Sequence, residues 1–212
     1  MRAAMLGACL GVFAAFSVLG LFSSLVPTFL HGVLGVHNLA LIGGGSFLIF
    51  VTAAISQAVS AGLPARRSVS AGVPLLLVCL GTLEAALFAQ ALWLFLVGTI
   101  AGGVAVGSIF RGGLSELNRI APARNRAAVV STFFAAAYLG LGLPAVLTGL
   151  ISVAIGPVDA SVYTSALVAV VVLAFFVVMR AFGAVPTPRP PCTPSDSWCS
   201  PEQVATAGSA SR

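Results

Sequence analysis

From residue 3 to residue 65 the chain carries no aspartate, glutamate, lysine or arginine. An α-helix crosses the hydrocarbon core of a bilayer with about 20 apolar residues, and this uncharged run is far longer. Charged residues make up 7% of the chain and hydrophobic residues 59%, whereas soluble domains are about 25% charged. A soluble domain of this size has no interior large enough to bury so much apolar surface. The sequence therefore predicts an integral membrane protein.

Charged and turn-forming residues divide the chain into six predicted spans. These spans cover residues 4–28, 39–62, 70–89, 92–110, 127–153 and 162–180. Residues 68–110 carry a single charge, Glu84, over about two crossing lengths, so we expect two helices with a turn near residues 89–91. The sequence thus predicts an all-α, six-helix transmembrane domain over residues 1–183. The Pro- and Ser-rich remainder, residues 184–212, is predicted to be a disordered cytoplasmic tail.

The positions of the arginines predict the orientation of the six spans. Cytoplasmic loops of membrane proteins are enriched in positive charge. With six spans, all ten basic residues fall on one side: Arg2, Arg66, Arg67, Arg111, Arg119, Arg124, Arg126, Arg180, Arg189 and Arg212. The connections on the other side carry only Asp159. We expect both termini to be cytoplasmic, in a multi-pass protein of the plasma membrane.

The basic character of the chain does not indicate nucleic-acid binding. The pI of 9.7 comes from arginines in short gaps between apolar blocks, whereas a nucleic-acid site needs them on one solvated face. No nucleophile elbow, zinc-protease motif or P-loop is present. The cysteines and histidines lack metal-ligand spacing: Cys9, Cys79, Cys192, Cys199, His31 and His37. We expect neither an enzyme nor a metal or cofactor site.

Glu84 is the only carboxylate within a predicted span. A charged side chain at the centre of a membrane helix costs roughly 2.5–3.5 kcal/mol on insertion scales, which makes it a functional candidate. One interpretation is proton binding coupled to transport. In the other, Glu84 reaches headgroup water, because Gln90 near the outer end of the helix is only about 9 Å further along the axis.

Five polar side chains inside the predicted spans are candidates for lining a substrate pathway: Ser17, Ser24, Gln57, Thr99 and Tyr138. Serine and threonine hydroxyls can bond to the backbone of their own helix, so they are weak indicators. A glutamine side-chain amide has both donors and an acceptor, so its hydrogen bonds are less easily satisfied by its own helix. Gln57 is therefore expected to contact either a substrate or a neighbouring helix.

Two helices contain glycine and proline patterns. Gly98 and Gly102, and likewise Gly103 and Gly107, are four residues apart and share a helix face, which favours close helix packing in lipid. The alternative is that this small-residue helix lines a pathway and slides during gating. In the fifth span, Gly142 and Pro144 predict a kink, a feature found at moving parts of transporters.

The order of these features resembles the region of helices ten and eleven in major facilitator superfamily (MFS) transporters. The matching stretch reads GTIAGGVAVGSIFRGGLSELNRIAPARNRAAVVSTFFAAAYLGLGLPAVLTG, residues 98–149. Pro122 and Arg126 fall where the family's loop arginine follows a proline, and AFSVLGLFSSLVPTFL (15–30) is similar to the seventh helix. The resemblance covers residues 5–183. The loop GLPARR, with Arg66 and Arg67, lacks the family's aspartate, and the span before Arg111 lacks the arginine of the fourth-helix motif.

The resemblance implies a carboxyl-terminal half of such a transporter, built as two inverted three-helix repeats. In this superfamily the substrate lies between two six-helix halves. The implied function is secondary active transport of a small solute, with the lipid bilayer and a second six-helix half or a second copy as partners. The first, second, fourth and fifth spans would face the cavity or the other half, and the third would be peripheral. The alternative is a non-transporting membrane fragment or subunit that only associates with a partner half.

Overall fold

The computed structural model describes residues 2–27, 30, 38–121 and 123–183. They form six α-helices: α1 (Arg2–Pro27), α2 (Leu39–Val59), α3 (Ala65–Ala89), α4 (Leu92–Ile120), α5 (Arg126–Ile155) and α6 (Pro157–Gly183). Short 3₁₀ turns at Ser60–Gly62 and Ala123–Asn125 follow α2 and precede α5. Each helix contains a segment long and apolar enough to cross a membrane. The prediction of an all-α, six-helix membrane protein is confirmed.

The chain divides into two compact units, residues 1–180 and 181–212. Of the second unit the structure describes only the last three residues of α6. The predicted disordered tail, Pro122, both histidines, Cys192 and Cys199 all lie outside the described residues.

Three of the described connections between helices have a local cause. In lipid a helix satisfies its own backbone hydrogen bonds, so its ends need other partners. The side chain of Asn38 accepts a hydrogen bond from the backbone of Ala40 at 2.9 Å and so caps the start of α2. Gln90 ends α3 in the left-handed conformation, with φ 51°. Gly156, with φ 92°, interrupts the helix between α5 and α6. Pro157 then begins α6 at the first helical position, where proline is best tolerated.

Three helices extend well beyond the spans that the sequence predicts. α3 begins at Ala65, before residue 70; α4 continues to Ile120, past the predicted end at residue 110; and α6 begins at Pro157, before residue 162. A helix need not stop where its apolar part stops, because its polar end can extend beyond the hydrocarbon. α3 and α5 each continue through an internal proline, Pro74 and Pro144.

Burial of the helices repeats after every third helix. The buried share of the spanning segment is 56% in both α1 and α4, 17% in both α2 and α5, and 44% and 39% in α3 and α6. α1 and α4 are therefore the central helices, and α2 and α5 are the most exposed. The exposed surfaces of α2 and α5 are called the open faces below; they include Leu39, Phe47, Phe50, Ile55 and Val59 of α2, and Tyr138, Leu139, Leu143, Val146, Leu150 and Val153 of α5.

Close backbone contacts follow the same repeat. In α1 and α5, a Cβ added at Gly20 would collide with the carbonyl of Leu141, and one at Gly140 would collide with the carbonyl of Phe13. α4 and α2 meet in the same way, with Gly107 against the carbonyl of Ala53. The first helix of each group of three thus packs backbone to backbone with the second helix of the other group, the approach that small residues allow in lipid.

The third helix of each group packs against the first helix of the other. Gly72 of α3 lies against the carbonyl of Ala105 in α4, and Gly11 of α1 lies against the ring of Phe175 in α6. These contacts form a large apolar core that includes Phe22, Leu76 and Ile109. A smaller cluster that includes Leu117 and Phe133 lies where α1, α4 and α5 meet. The contact pattern of the first three helices is therefore repeated by the last three.

Candidate functional site

Three of the predicted pathway residues bond to their own helices. Ser17 and Thr99 are buried, and their hydroxyls donate to the carbonyls of Phe13 at 2.8 Å and Phe95 at 2.7 Å. Ser24 donates over a longer distance, 3.5 Å, to the carbonyl of Gly20. In each case the bond runs to the residue four positions earlier, which is the local pattern available to any serine or threonine in a helix. Their hydroxyl hydrogens are used within the helices.

The other two pathway candidates lie on the exposed helices. Gln57 is half-buried near the end of α2, and Tyr138 is 67% exposed on α5. These two belong to the same pair of helices that carries the open faces. None of the five candidates lines the cavity beside Glu84 described below.

A polar contact between α2 and α4 was not predicted from the sequence. The hydroxyl of Ser56 donates to the carbonyl of Val104 at 2.9 Å, and its oxygen lies 2.9 Å from that of Ser108. The two serines are 52 positions apart, so no local pattern could have paired them. The available signal was the position of Ser108 directly after Gly107, on a helix rich in small residues.

The glycines of α4 form a contact surface for two neighbouring helices. Gly103 and Gly107 meet α2, and a Cβ on Gly103 would lie 2.7 Å from the carbonyl oxygen of Ile49. Gly98 and Gly102 meet α3, and a Cβ on Gly102 would lie 2.6 Å from the sulfur of Cys79. The geometry is that of close helix packing, and sliding during gating remains a prediction.

The fifth helix combines a packed face with an open one. Pro144 is buried, and its carbonyl accepts a hydrogen bond of 2.7 Å from Thr148. Gly142 is exposed, and a Cβ added there would have no heavy atom within 4 Å. Gly142 is therefore free of packing constraints in the monomer, in contrast to Gly140.

Two arginines of the predicted cytoplasmic loops bond to carbonyls at or near helix ends. Arg111, within α4, donates to the carbonyls of Ser60 and Ala61. Arg126, the first residue of α5, donates to the carbonyl of Asn118 at 2.9 Å. Late carbonyls of a helix have no partner in the helix itself, and a cation there also opposes the negative end of the helix dipole. This end of the molecule is called the arginine end below.

Arg67 and Arg119, two further charges at the arginine end, are exposed. Arg119 forms an ion pair of 2.6 Å with Glu116, one turn earlier on α4. Arg67 is exposed at the start of α3, and the side chain of Arg66 lies outside the described residues. Exposed pairs of this kind contribute only about 0.2–1 kcal/mol. Their main physical effect is to concentrate positive charge at one end of the bundle.

Glu84 lies at the other end, beside a cavity between α3 and α6. The cavity has a volume of about 380 Å³ and is lined by Leu77, Leu80, Gly81, Glu84, Phe88, Val162, Ser165, Ala166 and Ala169. Both carboxyl oxygens are buried and have no hydrogen-bond partner among the described residues. Ser165 is close enough to interact with the carboxyl group. No hydrogen bond of normal geometry joins them, and the Ser165 hydroxyl donates to the carbonyl of Val162 at 3.0 Å.

No family model matches this chain, and neither does any curated protein or solved structure. Within the part of the chain that the structure describes, no three His, Cys, Asp or Glu side chains lie close enough together to hold a metal ion. The functional argument therefore rests on the arrangement of the six helices, the open faces, the arginine end and the cavity at Glu84.

Proposed function

We propose that the chain is one half of a secondary active transporter of the MFS type, which moves a small solute across the plasma membrane together with a second six-helix unit. The observation that carries the proposal is the repeat of burial and contacts after every third helix. A unit of three spans starts and ends on opposite sides of the membrane, so a second such unit has inverted topology. Inverted repeats of this kind are the building plan of many transporter folds.

The open faces support the need for a second unit. In a transporter of this plan the substrate lies at an interface between repeats or halves, near the middle of the membrane. α2 and α5 occupy equivalent places in the two groups of three helices and are equally exposed. The second unit would cover these two faces and enclose the solute between the halves. Gln57 and Tyr138 are the two pathway candidates that lie on these helices.

The arginine end supports the proposed orientation. Arg67, Arg111 and Arg126 lie at the arginine end, whereas the first turn of α6, at the opposite end, carries Asp159. Positive charge favours the cytoplasmic side and is attracted to anionic headgroups by about 1 kcal/mol per basic residue. Both termini would then be cytoplasmic.

Cross-linking between copies tests whether the open faces pair. One tagged copy carries Phe47→Cys and a differently tagged copy carries Val146→Cys, both in a background without native cysteines. Phe47 and Val146 are 66% and 61% exposed, and each lies about 12–14 Å from the helix end opposite the arginines. We expect the mixed copies to cross-link in vesicles, because α2 of one unit meets α5 of the other.

The matched control is Leu167→Cys on α6, which is 50% exposed at a similar depth. We expect copies carrying this change to remain monomeric. Equal cross-linking at all three positions would show random collision, and a monomeric mixture of the first two copies would contradict pairing of this chain with itself.

A further inference from the structure

The cavity between α3 and α6 is formed by one stripe of side chains from each helix. Leu77, Leu80, Glu84 and Phe88 recur at intervals of three or four residues on α3, the spacing that places residues on one helix face. On α6 the corresponding residues are Val162, Ser165, Ala166 and Ala169. At about 380 Å³, the cavity falls within the range of small-molecule sites, roughly 300–1,000 Å³.

The walls of this cavity are apolar except for one carboxyl group and one hydroxyl group. Both oxygens of Glu84 are buried without a hydrogen-bond partner in the described part of the chain, and the Ser165 hydroxyl hydrogen is used by Val162. Burying a polar group without a partner costs free energy, and burying a lone charge costs far more. The structure thus contains one carboxyl group without a hydrogen-bond partner, among the residues that it describes, in a largely apolar cavity.

Among the described side chains of α3 and α6, none offers Glu84 a positive partner. Arg67 on the same helix lies about 25 Å away along the axis, and Arg180 on α6 lies about 22 Å beyond Ser165. Asp159 and Tyr163, near the start of α6, are exposed and bring no positive charge. The carboxylate form of Glu84 would therefore need a cation from outside these two helices.

The cavity is open on the outer surface of the helix bundle. Its lining residues Gly81, Phe88 and Ala166 are exposed. Because α3 and α6 are spanning helices, this surface faces lipid, and an occupant would enter from the bilayer with an apolar body. From Glu84 the apolar wall continues towards the arginine end as far as Leu77, about 10 Å along the helix.

We propose that this cavity binds a membrane-dissolved alkylamine, with its ammonium group on the carboxylate of Glu84 and its chain along Leu77, Leu80 and Ala169. A charge pair is strong in such low-dielectric surroundings, and a hydrogen bond between ionised groups is about twice as strong as a neutral one. The chain supplies the apolar contact. The site lies between α3 and α6, away from the open faces, so it is independent of the proposed transport function.

The test uses decylamine and decanol, each carrying a photoreactive diazirine at the far end of the chain. The purified protein is placed in nanodiscs of zwitterionic lipid, labelled by light and digested for mass spectrometry. We expect decylamine to label the peptides around Leu77 and Ala169, with competition by unlabelled decylamine. Decanol should label them at least about tenfold less, because it lacks the charge-assisted hydrogen bond.

Two variants test the contributions of the Glu84 carboxyl group and of the open volume at Gly81 separately. Glu84→Gln keeps the shape and should lower decylamine labelling about tenfold to the level of decanol. Gly81→Leu keeps the carboxyl group but fills the open space at Gly81, where a Cβ meets no atom within 4 Å, and should abolish labelling by both probes. Glu116→Gln, a carboxylate at the arginine end, should leave labelling unchanged.

Three results would each overturn the proposal. These are equal labelling by the amine and the alcohol, full amine labelling of Glu84→Gln, and full amine labelling of Gly81→Leu. The first two would mean that the carboxyl group serves only to hold a proton or reach water. The Gly81→Leu result is informative even if Glu84→Gln does not fold.

Discussion

Replacing Gly140 by alanine is expected to destabilise the folded protein by about 1–3 kcal/mol, the usual cost of an extra methyl group in a well-packed interior. A Cβ at this position would collide with the backbone carbonyl of Phe13 in α1. Backbone cannot rotate away as a side chain can, so α1 and α5 would have to separate. The two helices form one of the closest contacts in the bundle, and their separation would expose the core around Phe22.

Gly142→Ala is the matched control on the same helix. Gly142 has no heavy atom within 4 Å of an added Cβ, and alanine is favoured over glycine in a helix by roughly 0.5–1 kcal/mol. The change should be neutral or slightly stabilising. The repeat of contacts predicts the same difference in stability for another pair of substitutions. Gly107→Ala should be destabilising, because an added Cβ meets the carbonyl of Ala53, and Gly44→Ala should not, because an added Cβ meets nothing within 4 Å.

The buried thiol of Cys79 provides the measurement. Cys79 is fully buried, so a thiol-reactive dye reports its exposure as the protein is heated in detergent, with the other three cysteines replaced by serine. Gly140→Ala and Gly107→Ala should expose Cys79 at lower temperature than the unmodified chain. Equal midpoints for Gly140→Ala and Gly142→Ala would contradict the close backbone contact.

The turn between α3 and α4 is expected to lie on the outer side of the membrane. A cysteine placed there should therefore be labelled in intact cells, whereas one at the arginine end should not. Ala89 and Asn125 are both exposed, the first at the end of α3 and the second just before α5. In cells, a membrane-impermeant thiol reagent should label Ala89→Cys in a cysteine-free background. Asn125→Cys should be labelled only after the membrane is permeabilised, because the arginine end favours the cytoplasm.

The same pair of positions tests the number of spans. If residues 68–110 crossed the membrane once, Ala89 would lie within the bilayer and would resist the reagent even after permeabilisation. Labelling of Asn125→Cys but not Ala89→Cys in intact cells would reverse the proposed orientation.

The six helices could be predicted from the sequence because each depends on local properties. The length of an apolar run and the nearest charge decide whether a segment can cross a membrane, and the single charge in residues 68–110 sufficed to indicate a hairpin. The end of α4 was not predicted. Arg111 looked like the start of a loop, but α4 continues past it to Ile120, and the Arg111 side chain reaches the distant carbonyls of Ser60 and Ala61.

The sequence did not predict which helices contact one another. The spacing of Gly98, Gly102, Gly103 and Gly107 predicts close packing, but it does not say that two of them meet α3 and two meet α2. The cavity at Glu84 depends on how α6 is placed, with Phe175 against Gly11 and Ser165 opposite the carboxyl group. No pattern within α3 contains that information.

The open faces were likewise not visible in the sequence. The spanning segments of α2 and α5 have mean hydropathies of 1.6 and 1.9, only slightly below the 2.2 and 2.0 of α1 and α4, which does not predict their low burial. Their common low burial results from their equivalent places in the two groups of three helices. That equivalence is a property of the fold, since the sequence shows no internal repeat.

Solute uptake by the purified chain in liposomes tests the proposed function most directly. Vesicles containing the Phe47→Cys and Val146→Cys copies are offered, in turn, a labelled sugar, an organic anion and a hydrophobic cation. We predict uptake of at least one class above that of protein-free vesicles, loss of uptake when the two cysteines are cross-linked, and recovery on reduction. Absence of uptake for every class, in vesicles where cross-linking proves that the open faces pair, would contradict transport and leave a non-transporting membrane subunit.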